Sequence, residues 1–177
     1  YRPVQIEARM ARGIALSGVG RYDQAREMIE SAHWDSVQER MDETAIESAL
    51  WLAEMEGGRR ERHDEGLEWA RHAKAAISRG GGGAVVEMRR LAIVASLLRK
   101  KAQLEEAQKQ LDAAWVLARE AGKMRGLLAA TMHDTAATIA ADSGRYAEAR
   151  LQYEKAFELR SEILGDDHPD LAPSLDG

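Results

Sequence analysis

The chain has 177 residues, a formal net charge of −5, 45% apolar but only 5% aromatic side chains, and no cysteine. The negative balance argues against a broad nucleic-acid footprint, and the absence of cysteine rules out disulfides, zinc–thiolate sites and a cysteine nucleophile. No apolar run approaches a membrane span, so the composition reads as a cytoplasmic, Ala-rich helical protein whose partners are neither nucleic acid nor membrane. The chain opens on Tyr1 without a signal peptide and its pattern stops at Gly177, as expected of a segment from a longer protein.

Taken in chain order, the first helical pattern runs from about Pro3 to Gly18, with Val4, Ala8, Ala11, Ala15 and Val19 at steps of three and four. Pro3 suits a first helical turn, where its missing N–H costs nothing. Gly18-Val19-Gly20-Arg21-Tyr22-Asp23 then ends one helix and opens the next, predicted over about Asp23 to Val37. The same helix A, turn, helix B arrangement returns three times. The small-residue pairs Ala25/Ala32, Gly66/Ala73, Ala107/Ala114 and Ala149/Ala156 mark it, at steps of 41, 41 and 42 residues. A fixed period of this size is the mark of a stacked repeat. Members of a pair are two turns apart on one helix face, which lets a neighbouring helix approach closely. Gly13, Ala95 and Ala137 are expected opposite, with Leu111 and Tyr153 supplying the bulk between.

The second repeat is the irregular one. Its turn, Glu56-Gly57-Gly58-Arg59-Arg60-Glu61-Arg62, is expected to be a long charged loop, and either Ala49 or Ala53 supplies the small residue of its first helix. Gly80 to Gly83 reads as a flexible joint at which the two halves tilt. Arg59-Arg60, Arg89-Arg90 and Arg99-Lys100-Lys101 read as solvated helix ends and loops. Pro169 stands 166 residues after Pro3, in the same register. The expected fold is therefore all-α, a right-handed superhelix of about eight antiparallel helices. Its repeats fall at about 3–41, 42–82, 83–123 and 124–165, with a truncated fifth over 166–177.

The motifs resemble the tetratricopeptide repeat, in particular the longer version of roughly 42 residues known from kinesin light chains. Gly144-Arg145-Tyr146-Ala147-Glu148-Ala149-Arg150-Leu151-Gln152-Tyr153-Glu154-Lys155-Ala156-Phe157-Glu158-Leu159-Arg160 carries the resemblance best, followed by Leu164-Gly165-Asp166-Asp167-His168-Pro169-Asp170. The mixture of repeats is similar to arrays that follow the kinase domain in some bacterial serine/threonine protein kinases, and to those of bacterial signalling regulators. That implies a cytoplasmic scaffold or adaptor segment that binds another protein or peptide and does no bond chemistry itself. The alternative is a ligand-gated sensor taking a short peptide or small molecule. Self-association of the segment is a third option. The family's asparagine-based peptide grips have no counterpart, because the chain contains no Asn.

In such an array the A helices line the inner face. The register places Met10, Ile14, Arg89, Ile93, Ser96, Lys100, Asp134 and Thr138 there. Apolar anchors beside two cations suit an acidic amphipathic segment. No residues read as catalytic, metal-binding or cofactor-binding. His33, His63, His72, His133 and His168 are scattered, and His63 and His72 fall on opposite sides of a helix. Asp166, Asp167 and Asp170 read as a helix start, and Gly80 to Gly83 lack the lysine of a phosphate loop. Trp34, Trp51, Trp69 and Trp115 read as packing between repeats.

Overall fold

A computed structural model describes residues 1–165. Those residues form eight α-helices and no strand: α1 (Arg2–Gly18), α2 (Tyr22–Gln38), α3 (Asp42–Leu52), α4 (His63–Ser78), α5 (Gly83–Lys100), α6 (Leu104–Glu120), α7 (Leu127–Asp142) and α8 (Tyr146–Leu164). A π-helical segment, Ala53–Arg59, continues α3. The expected fifth repeat, with Pro169, His168 and the acidic turn, lies outside the described residues. The chain divides into two compact units, Tyr1–Ile93 and Val94–Gly177. The division therefore falls within α5 rather than at the glycine run.

In the first unit α1 and α2 form an antiparallel hairpin. Residues equally far from the turn meet: Arg9 donates to Ser31 Oγ and Asp35 at 2.6 Å each, and Arg2 pairs with Glu39 at 3.1 Å. Arg9 thus ties the hairpin together by charge. The buried stripe of α2 is Ala25, Ile29, Ala32, His33 and Ser36, a helical face at steps of three and four. Opposite it, a methyl group on Gly13 would stand 2.5 Å from Ile29 Cγ1 and 3.1 Å from the Ala25 carbonyl oxygen. The expected close approach is present.

All eight marker residues are buried, Gly66 included. The period is written into the backbone as well. Gly20, Glu61, Ala102 and Gly144, at the turns between A and B helices, all have positive φ, from 58° to 77°. Behind each left-handed residue the next amide closes onto the preceding helix: Arg21 N–H to Leu16 O, Gln103 to Leu98 and Arg145 to Ala140. In the second repeat the bond runs from Arg62 to Glu56, one residue longer. The π-helical segment accommodates that extra residue. The expected loop is therefore helical as far as Arg59, and Ala53 and Gly57, rather than Ala49, face Gly66.

The glycine run is also more closely packed than a plain joint would be. A methyl group on Gly81 would come within 2.7 Å of Ile46 Cδ1 and 3.3 Å of Asp42 Cβ. In the second unit, α7 and α8 form an antiparallel hairpin. Its bonds are His133 Nδ1 with Gln152 Oε1 at 2.7 Å and an Asp134–Arg160 ion pair. Ala129, Ala130, Met132, Ala137, Ile139 and Ala140 are its buried apolar face on α7.

Two glycine substitutions should move stability in opposite senses. Gly66→Ala would normally gain about 1 kcal/mol of helix propensity. Here the new methyl meets backbone, 2.6 Å from Gly57 Cα, so a loss of about 1–3 kcal/mol is expected. Ala102→Gly relieves a left-handed conformation at φ 58° and should gain about 0.5–1 kcal/mol. Urea titrations followed by circular dichroism read both signs.

Candidate functional site

On the first unit, the side of α1 not used against α2 faces α3. Met10 and Ile14 are half-buried there and, with Ala11, floor a shallow pocket of ≈ 330 Å³ whose other walls are Glu7, Glu43, Thr44 and Glu47. A second pocket of ≈ 330 Å³ lies on the far side of α3 and is lined by Glu43, Ile46, Glu47, Gly82 and Val86. Glu43 and Glu47, four apart on α3, form a ridge between the two pockets. Glu54, a further seven residues on, continues their stripe.

Arg89 reaches this face from α5, but it is not free to receive a partner. Its Nη1 donates to Glu47 at 2.7 Å and its Nε to Glu54 at 3.4 Å. Burial works against its charge, yet Glu54 and Glu47 together hold its pKa above the ordinary guanidinium value. Ile93 is 8% exposed and sits in the core. Among the described residues, Glu7 and Glu43 have no hydrogen-bond or ion-pair partner. The face is therefore apolar at its floor and acidic at its rim.

The other four expected residues belong to the second unit. Ser96 is half-buried and Lys100 exposed near the end of α5. Asp134 is paired with Arg160, and the Thr138 hydroxyl donates to the Thr135 carbonyl at 3.0 Å. Neighbouring polar groups are tied up too: Arg99 pairs with Asp142 at 2.7 Å. The structure thus brings Met10 and Ile14 together in one pocket, sets Arg89 beside it through Glu47, and places the remaining polar residues in a separate unit. The acidic rim was not anticipated, although Glu43, Glu47 and Glu54 at helical spacing carried the signal.

Two clusters lie apart from this face. Glu56, in the π-helical segment, is fully buried, with Arg26, Arg60 and Arg62 at 3.5, 3.2 and 3.4 Å. Arg60 also pairs with Asp23, and Arg26 with Glu65. The Arg59-Arg60 and Arg89-Arg90 runs are accordingly not simply solvated: Arg60 and Arg89 hold these pairs, and Arg90 binds Glu87 in two parallel bonds of 2.7 Å.

Between α2 and α4, His33, Trp34, Trp69 and His72 pack mutually, with ring centroids 4.8–6.0 Å apart. The Trp34–Trp69 contact is the expected packing between repeats; Trp115 meets His133 in the second unit. His33 donates from Nδ1 to the Ala45 carbonyl at 3.0 Å. Burial pushes its pKa down to about 4, with the charges of His72 and Arg79 acting in the same direction. Among the described residues, no group of three His, Asp or Glu side chains is placed to hold a metal ion, and no helix is long and apolar enough to cross a membrane.

Residues 128–170 match the sequence family described as Tetratricopeptide repeat. The matched stretch covers the α7–α8 hairpin, and it supports a tetratricopeptide-repeat array. No curated protein matches the chain.

The His33 geometry makes a signed prediction. A neutral histidine at about 4 in the folded chain and at 6.5 when unfolded means the unfolded state binds the proton first as pH falls. Stability is then full above about pH 7 and is lost progressively between about 6.5 and 4, by roughly 3 kcal/mol in all. His33→Asn keeps an amide donor for the Ala45 carbonyl and removes the titration. Its urea midpoint should fall less steeply with acid than the parent's, and parallel profiles would contradict the assignment.

Proposed function

We propose that this chain is a protein-binding module that receives a segment of another protein on the groove face of its A helices. The observation that carries the reading is the α1/α3/α5 face of the first unit, where two apolar-floored pockets stand open beside Glu7 and Glu43, which have no ion-pair partner among the described residues. In the second unit Arg99 and Asp134 are engaged in ion pairs with Asp142 and Arg160. Open apolar-floored pockets suit recognition of side chains by shape. The tetratricopeptide-repeat match supports this, since such repeats generally mediate protein–protein interaction.

In the second unit we assign the same role to Ser96, Lys100, Asp134 and Thr138. The biological setting we propose is an adaptor segment of a larger bacterial signalling protein, such as a serine/threonine protein kinase, working in the cytoplasm. The resemblance to arrays in such proteins supports that setting. Catalysis, on this reading, belongs to other parts of the parent protein.

Ala11→Trp tests the face without disturbing the core, because Ala11 is exposed at the pocket wall. Peptides selected from a random display library on the parent chain should lose at least about tenfold in affinity for the variant. Selected peptides that bind both proteins equally would overturn the assignment.

A further inference from the structure

The chemistry of the first unit's face specifies what it holds more narrowly than a register argument does. Its cation, Arg89, is bound to Glu47 and Glu54, so an acidic segment would have to break two existing ion pairs to reach it. The same segment would also meet Glu7 and Glu43, whose charges have no partner among the described residues. A basic segment meets the opposite situation. It finds carboxylates already exposed and need displace nothing.

The two pockets add a geometrical requirement. One lies between α1 and α3, floored by Met10, Ala11 and Ile14; the other lies between α3 and the start of α5, against Ile46 and Val86. Glu43 and Glu47 border both. A chain that seats one apolar side chain in each pocket must cross α3, and whatever stands between those anchors lies over the two carboxylates. From this we infer that the face binds a basic segment of another protein in which two apolar side chains flank at least one Lys or Arg. The first apolar side chain sits on Met10, Ala11 and Ile14, the second on Ile46 and Val86. The intervening cation pairs with Glu43 and Glu47, and a further cation beyond the first anchor meets Glu7.

The inference rests on the reading of this face as protein-binding and adds to it the partner's charge and its order of anchors. It reverses the expectation of an acidic ligand, which counted Arg89 as available. Binding of this kind is steered by charge and weakens with salt, whereas the apolar anchors are insensitive to it.

Three labelled peptides, identical apart from the residues between and beside two leucine anchors, separate the outcomes. Those residues are Lys/Arg in the first, Gln in the second and Glu in the third. Fluorescence anisotropy should show the basic peptide binding about tenfold or more tighter than the acidic one at about 50 mM salt, with the gap closing towards about 300 mM. The double variant E7Q/E43Q removes two carboxylates that make no hydrogen bond or ion pair among the described residues. Its circular dichroism should match the parent's, and the ratio of its affinities for the basic and Gln peptides should fall towards one. Equal binding of all three peptides, abolished by Ala11→Trp, would overturn the charge inference and leave the binding face standing. Tighter binding of the acidic peptide would do the same. Binding that Ala11→Trp does not alter, or no binding by any peptide, would overturn both.

Discussion

The structure depends on how closely the two helices of each hairpin approach. At Gly13 and Gly66 there is no room for even a methyl group against the neighbouring helix, and alanines occupy the remaining marker positions at full or nearly full burial. Close approach of this kind yields many weak dispersion contacts in place of a few large ones, which is why a chain with one phenylalanine can bury an apolar core within each unit. It also narrows the buried stripe on each helix. With α1 set against α2 at Gly13, where Ile29 and Ala25 come close, the side bearing Met10, Ala11 and Ile14 is left to face α3 at a distance that leaves a pocket. The pocketed face is thus a geometrical remainder of the packing rule.

The second repeat shows what happens when the rule is bent. Its hairpin carries glycine at Gly66, and the preceding helix widens into a π segment to fit one more residue before the turn. That extra residue rotates Glu56 inward, where its carboxylate has no exposure at all. A buried charge is tolerable only when it is neutralised and hydrogen-bonded. Arg26, Arg60 and Arg62 do this from α2 and from the turn itself. Burial alone would depress the Arg26 pKa, yet Glu65, Glu56 and Glu30 hold it above the ordinary value. Such a cluster contributes little net stability compared with an apolar core, but it fits only one register of the π segment. It is better understood as fixing where that irregular helix ends.

Helix positions, the small-residue register and the Trp34–Trp69 contact were legible in the sequence because each is set by spacing along one helix or by the repeat itself. What was not legible depends on partners brought in by neighbouring repeats. Arg89 reads as an available cation until α3 places Glu47 and Glu54 beside it, 42 and 35 residues earlier in the chain. His33 and His72 look scattered, yet adjacent B helices bring their rings to 5.7 Å. Glu56 reads as a loop residue because a π insertion has no period of its own to detect. The left-handed Glu61 and Ala102 were hidden for a similar reason: neither residue type signals positive φ. Spacing assigns a side chain to a face; it does not say which opposite charge will reach it.

That distinction bears directly on the acidic rim. Glu43 and Glu47 are four apart on α3, and like charges at that spacing destabilise a helix by a few tenths of a kcal/mol. Arg89 relieves the repulsion on one side of the pair only, since its bonds go to Glu47 and Glu54 and none reaches Glu43. Glu7 contributes a further unneutralised carboxylate to the same pocket. Neither Glu7 nor Glu43 makes a hydrogen bond or ion pair among the described residues, and Glu43 stands in the first turn of α3, where a negative charge favours the helix. The repulsion between Glu43 and Glu47 is thus relieved on one side only, at a place where the surface is also apolar and concave. An incoming cation would relieve that repulsion, while an apolar anchor beside it would displace water from the pocket floor. The two effects would come from adjacent residues on the same two helices, so that charge and shape would act together in the proposed binding.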